Sequence, residues 1–178
     1  MSANPDRGTE LLETIGAGGR PLLLSGGAVV SLNPLMGDWE KADVPVGGSM
    51  IVGVGPGLLS AAEDDGMIVI DCTGCLVLPS RADFVSPGSG GALTPGEAAD
   101  IAVIRLADRE GAPDGAVIGR AGHLDILLAD GTVTVWDGGL ADPGRSRPAA
   151  QPSGTSEHPY VGLWVDELHH AGYRFTRR

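Results

Sequence analysis

Val69-Ile70-Asp71-Cys72-Thr73-Gly74-Cys75-Leu76-Val77-Leu78-Pro79 is separated by only Ser80–Ala92 from Leu93-Thr94-Pro95-Gly96-Glu97-Ala98-Ala99-Asp100-Ile101-Ala102-Val103-Ile104. The two outer stretches are aliphatic, β-branched runs bounded by Gly, Pro and Asp, which is the pattern of short strands. The stretch between them is rich in Gly, Ser and Pro and has the composition of a linker. The same strand pattern extends both ways, with strands expected near 21–31, 42–47, 49–55, 67–71, 75–78, 100–106, 123–129 and 132–137. Gly47-Gly48 is a two-residue hairpin signal, and Asp130-Gly131 is a stronger one. Pro45 has no N–H to give to a ladder, so its strand is expected at an edge or with a bulge. Gly53-Val54-Gly55-Pro56-Gly57 is expected to be a turn. A phosphate loop would need a following Lys-Ser/Thr and a helix N-terminus, and no helix is expected there.

The bulk composition agrees with a β-rich globular chain. Hydrophobic residues make up 42% and charged residues 20% of 178, enough for one domain with a real core. The 29 Gly and 13 Pro imply many turns and short strands rather than long helices. The net charge of −11 argues against nucleic acid as a partner and against an anionic membrane surface. No apolar run reaches the roughly 18 residues of a membrane span. The first residues lack the basic-then-apolar order of a signal peptide. With two cysteines, a reducing cytoplasm is the expected compartment.

Leu22-Leu23-Leu24-Ser25-Gly26-Gly27-Ala28-Val29-Val30, the run Asp43–Gly55 and the run Val69–Pro79 resemble, in that order, the N-terminal segment of the amidohydrolase superfamily. Those metal-dependent hydrolases include cytosine deaminase, dihydropyrimidinase and imidazolonepropionase. Leu93–Ile104, Asp125–Leu128 and Thr132–Gly139 are similar to the superfamily's closing strands. The resemblance implies a small β-sandwich built from N-terminal and C-terminal segments. In the superfamily a TIM barrel lies between those segments, and a barrel needs roughly 200 residues or more. Here only the linker 80–92 replaces it. The His-x-His metal pair expected soon after Pro79 is also missing, and the first histidine is His123. The fold expected is therefore mainly β: a small sandwich, with one C-terminal amphipathic helix. Residues 1–20 are expected to be a tail, 21–140 the sandwich, 141–157 a linker, and 158–178 the helix and tail. In that last segment Val161, Trp164, Val165, Leu168 and Gly172 recur at helical spacing.

Few residues invite chemistry. Cys72-Thr73-Gly74-Cys75 lacks the second ligand pair of a zinc site. It also lacks the following helix that activates a redox thiol, so a structural role is expected. Asp100 is expected to be structural, and Trp39, Trp136 and Trp164 to serve the core or a docking surface. The dense ionisable cluster is His158, Asp166, Glu167, His169 and His170, with Tyr160 nearby. Asp166 can meet His169 or His170 on one helix face, and a carboxylate-oriented imidazole is a workable general base. A solvated polar helix face is the competing reading. No metal site and no cofactor is expected.

Three functions are consistent with these residues. The first is a barrel-less sandwich that has lost metal-dependent hydrolysis and binds a small molecule or a protein. It would have the C-terminal helix, a second copy or a partner covering the face left bare. The second is a metal-independent cyclase, isomerase or lyase in a biosynthetic pathway, with His158, Asp166, His169 and His170 as candidate catalytic residues. The third is the sandwich subunit of a split hydrolase. On its own, the chain is not expected to be a metal-dependent amidohydrolase.

Overall fold

The structure is a computed structural model that describes residues 20–64, 66–80, 91–106, 121–136 and 139–140. The strands are β1 (Leu22–Val29), β2 (Trp39–Gly47), β3 (Met50–Ile51), β4 (Ile68–Asp71), β5 (Cys75–Pro79), β6 (Ile101–Leu106), β7 (Ala121–Ala129), β8 (Thr132–Trp136) and β9 (Gly139–Leu140). One short helix, α1 (Leu59–Asp64), lies between β3 and β4. The strands join in one sheet of order β3-β2-β1-β5-β6-β7-β8-β9, with β4 also paired to β1. The described chain is therefore mainly β, as its strand signals imply. The expected C-terminal helix and the residues 141–157 lie outside the described residues, as do residues 1–19 and most of the 80–92 linker.

A corner in β1 bends the sheet. The first half of β1 pairs in parallel with β4 (Leu22 with Ile68, Ser25 with Asp71), and its end pairs in parallel with β5 (Ala28 with Leu76). The Cys72–Cys75 turn thus moves the chain sideways along β1 without reversing it. Opposite that jog, β1 breaks register against β2 between Leu24 and Gly27. Such irregularities turn strands at the corners of sandwiches. Gly27 sits at this corner because a Cβ there would come within 2.8 Å of Val77 Cγ2.

The bend packs the two parts of the sheet over one inner core. Leu24, Val44, Ile51 and Ile70 from β1–β4 share it with Val77, Val103, Leu128 and Val133 from β5–β8. A second apolar cluster lies on the opposite face of β5 and β6, where Leu76, Leu78, Ala102 and Ile104 alternate with the inner residues. This explains why Leu76–Leu78 and Ile101–Ile104 are unbroken apolar runs: both faces of these strands are buried. Antiparallel pairing of β5 with β6, from Cys75 with Arg105 to Pro79 with Ile101, joins the N-terminal and C-terminal segments directly.

Four details depart from the sequence reading. The first hairpin loop is Gly48-Ser49, one residue later than Gly47-Gly48, because Gly47 pairs with Met50. Gly48 takes φ +61°, as the first loop residue of such a turn requires. The strand expected at 49–55 shrinks to Met50–Ile51, followed by an isolated bridge from Gly55 to Asp43. Pro45 lies on β2, second from the edge, not on an edge strand. Its carbonyl accepts Val52 N–H at 2.8 Å on the β3 side, so its missing N–H faces the point where β3 ends. Finally, α1 follows the Gly53–Gly57 turn where no helix was expected. Six residues with few apolar positions give no helical periodicity to detect.

Candidate functional site

Three buried carboxylates are used by the scaffold. Asp43 on β2 accepts Ser25 Oγ at 2.8 Å and Gly26 N–H at 2.9 Å through Oδ1, and Leu58 N–H at 2.8 Å through Oδ2. One side chain thus holds the β1 corner and the entry to α1. The N-terminal end of that helix is already met by Asp43, which leaves the glycine-rich turn before it a structural element. Asp38 accepts Ser31 N–H at 3.0 Å. Asp100 accepts Asp130 N–H at 2.9 Å, fixing the loop between β7 and β8. That hydrogen bond is consistent with the structural role expected for Asp100.

Cys72 and Cys75 close a turn in which Cys75 N–H donates to Cys72 carbonyl at 2.9 Å and Gly74 takes φ +76°. Strands flank the turn on both sides, as the sequence implied. Both thiols are free, buried and part of the inner core. Burial pushes the Cys72 thiol far above its usual range, and the neighbouring Cys75, Asp71 and Asp125 push in the same direction. Burial also raises Cys75, against the pull of the Arg105 guanidinium. A protonated buried thiol is a poor nucleophile and a poor metal ligand. Next to the turn, Thr73 donates its hydroxyl and its N–H to Asp71 and holds that exposed carboxyl below its usual range.

A further polar group is a cluster on β6 and β7. Val103 pairs with Ile126 but Ile104 pairs with Leu124, so Asp125 is the extra residue of a bulge. A second shift lies between Leu124 and Ala121, around His123. Bulges re-aim side chains and are common beside functional sites. Here Asp125 is 7% exposed and Oδ2 accepts a hydrogen bond from Arg105 Nη2, with Cys75 Sγ 4.0 Å away. His123 Nε2 stands 3.1 Å from Asp125 Oδ1. That is ion-pair distance, but the alignment is off a hydrogen bond, and Oδ1 is buried without a hydrogen-bond partner. Arg105 and His123 are about half exposed, at 52% and 56%. The cluster can present a guanidinium and an imidazole to solvent around one buried carboxylate.

The sequence reading missed Arg105, His123 and Asp125. The signal available was a His-x-Asp inside an apolar strand, yet its convergence with Arg105 depends on a bulge set by pairing register. The candidates His158, Asp166, His169 and His170, together with Glu167 and Tyr160, lie outside the described residues. Trp39 and Trp136 pack, partly buried, against the inner core, and Trp164 lies outside the described residues. Among the described residues no three His, Cys, Asp or Glu side chains are arranged to hold a metal ion. Among them, too, no helix is long and apolar enough to cross a membrane.

No family model matches the chain, and no curated protein matches it. Among solved structures, the crystal structure of a triazine hydrolase variant aligns at 27% sequence identity with a TM-score of 0.30. The alignment covers 37% of this chain and 15% of that one, a small part of that hydrolase's length.

Proposed function

We propose that the chain is a barrel-less amidohydrolase-like β-sandwich without metal-dependent hydrolysis, acting as a binding module for a small molecule or a partner protein. The observation that supports it most is the direct pairing of β5 with β6. Ser80 N–H donates to Asp100 carbonyl at 2.9 Å, right after the Pro79–Ile101 pair. The segments that resemble the two ends of a hydrolase thus meet as neighbouring strands, with a short connection where a barrel of roughly 200 residues would be inserted. The use of Asp38, Asp43 and Asp100 as turn-holding acceptors adds to it. The test is to incubate the full chain with Zn²⁺ or Mn²⁺ and a panel of cyclic amides and ureides. The expected result is no turnover above the metal blank. Turnover, with one or two metal ions per chain surviving dialysis, overturns the reading.

One observation favours a second reading, a metal-independent cyclase, isomerase or lyase. The His123 imidazole stands beside the buried Asp125 carboxylate, with Arg105 on the same group. An imidazole beside a carboxylate can serve as a general base, and a guanidinium can hold an anionic substrate group. If the chain turns over a substrate by this route, His123→Gln lowers the rate by roughly 10²–10⁴-fold. An activity indifferent to that substitution removes the reading.

A further inference from the structure

The second apolar cluster is not built like the first. Among the described residues, the inner core draws on both parts of the sheet, whereas the outer cluster draws only on the end of β1, the loop after it, and β5–β8. Strands β2, β3 and β4 contribute nothing to it, and α1 packs against β1 and β4 on the other part of the sheet. The described elements therefore supply one layer on this face. Its residues are nonetheless shielded: Val30, Leu78 and Ile104 are 0% exposed in a single chain. An apolar layer of this kind is stable only under a second layer.

We propose that this face is covered by the C-terminal segment of the same chain, with Val161, Trp164, Val165 and Leu168 seated on Leu76, Leu78, Ile104 and Leu124. Three facts point to this occupant. Its apolar residues fall at i, i+3, i+4 and i+7, one face of a helix, and none of the other segments outside the described residues carries a stripe of four. Residues 81–90 offer Phe84 and Val85, residues 107–120 offer Val117 and Ile118, and residues 1–19 offer Leu11, Leu12 and Ile15. The chain leaves the sheet at β9, on the edge of the very part that carries the face. The stretch 141–157 can extend to roughly 55 Å at about 3.3 Å per residue. Five strands about 4.8 Å apart are only roughly 20 Å across, so the segment reaches every part of the face. Docking leaves Asp166, Glu167 and His170 on the polar side of the helix.

The direct test uses the full chain with methyl-labelled Ile, Leu and Val. Nuclear Overhauser contacts from the Trp164 indole to methyls of Leu78, Ile104 or Leu124 are expected. A mixed-label sample should show them within one chain. Contacts seen only between differently labelled chains would mean that a second copy covers the face, and the proposal fails. In a parallel arm, Val165→Asp with Leu168→Asp should lower Tm by roughly 5–10 °C and raise binding of a hydrophobic dye. An unchanged Tm and dye signal overturns the proposal. So does a dye response that instead follows Leu11→Asp with Ile15→Asp, which would assign the cover to the N-terminal segment.

Discussion

Gly131, in the loop between β7 and β8, lies directly against the carbonyl group of Gly48, in the loop between β2 and β3. In a flat sheet of the observed order these loops would stand at opposite sides of the molecule. Their contact shows how far the sheet curls over its inner core. Ala99 straps the same junction: its N–H donates to Ser49 carbonyl at 2.8 Å, and its carbonyl accepts Gly131 N–H at 3.0 Å. A loop of the N-terminal segment, the return segment and a loop of the C-terminal segment therefore meet backbone to backbone.

Gly131→Ala should be costly. A Cβ there would collide with the Gly48 carbonyl, and the residue sits at φ +75°. Backbone on both sides leaves no flexible side chain to yield, so a loss of about 2–4 kcal/mol is expected in chemical denaturation. Gly48→Ala is the internal control. It also has positive φ, at +61°, but nothing lies within 4 Å of its Cβ position, so only the backbone term of about 1 kcal/mol applies. Equal costs for the two would mean that the loops do not touch.

Asp43→Ala should cost about 3 kcal/mol, because three donors at the β1 corner and the start of α1 lose their acceptor at once. Asp43→Asn should cost less, about 1–2 kcal/mol. Its amide oxygen can keep Ser25 and Gly26, but its NH₂ then faces the Leu58 N–H. Urea titration with an unchanged m-value checks both.

The buried thiols make stability fall in alkali. Both are raised in the folded state, so the unfolded chain releases thiol protons first. Their contribution is fully present below the ordinary thiol value of about 8.5 and is lost as pH rises above it. For Cys72 the slope approaches about 1.4 kcal/mol per pH unit. Unfolding free energies from pH 7 to 10 should show this slope, and Cys72→Ala should flatten it. A wild-type curve already flat over that range contradicts the burial of these groups.

Arg105→Met should destabilise by only about 1 kcal/mol, because the guanidinium is half exposed and water screens the pair. The carboxylate it leaves behind is buried, so Arg105→Met combined with Asp125→Leu should recover part of the loss. A double-mutant cycle by thermal unfolding gives the coupling, and a value of zero would remove the pair from the account.

Most strands were legible because their chemistry is local. Val, Ile and Leu runs closed by Gly, Pro and Asp place β1, β2 and β4–β8 within about three residues, and Asp130-Gly131 marks its hairpin without help. What could not be read depends on partners distant in sequence. The Gly48-Ser49 loop is set by the Gly47–Met50 pair, not by the glycine doublet. The two-residue β9 and the six-residue α1 are too short for a period. Asp125 was hidden for the same reason. Its place beside Arg105 and Cys75 comes from an extra residue in β7, and only the register against β6 defines that residue as extra.

Two segments separated in sequence fold as one sandwich. Native-state hydrogen exchange across a guanidinium series measures this most directly, following strand amides of β2 in the first segment and of β7 in the second. Both sets are expected to merge into one global unfolding isotherm, with the same free energy and the same denaturant dependence. Two isotherms, with β1–β4 opening while β6–β8 stay protected or the reverse, would show two separate cores and contradict it.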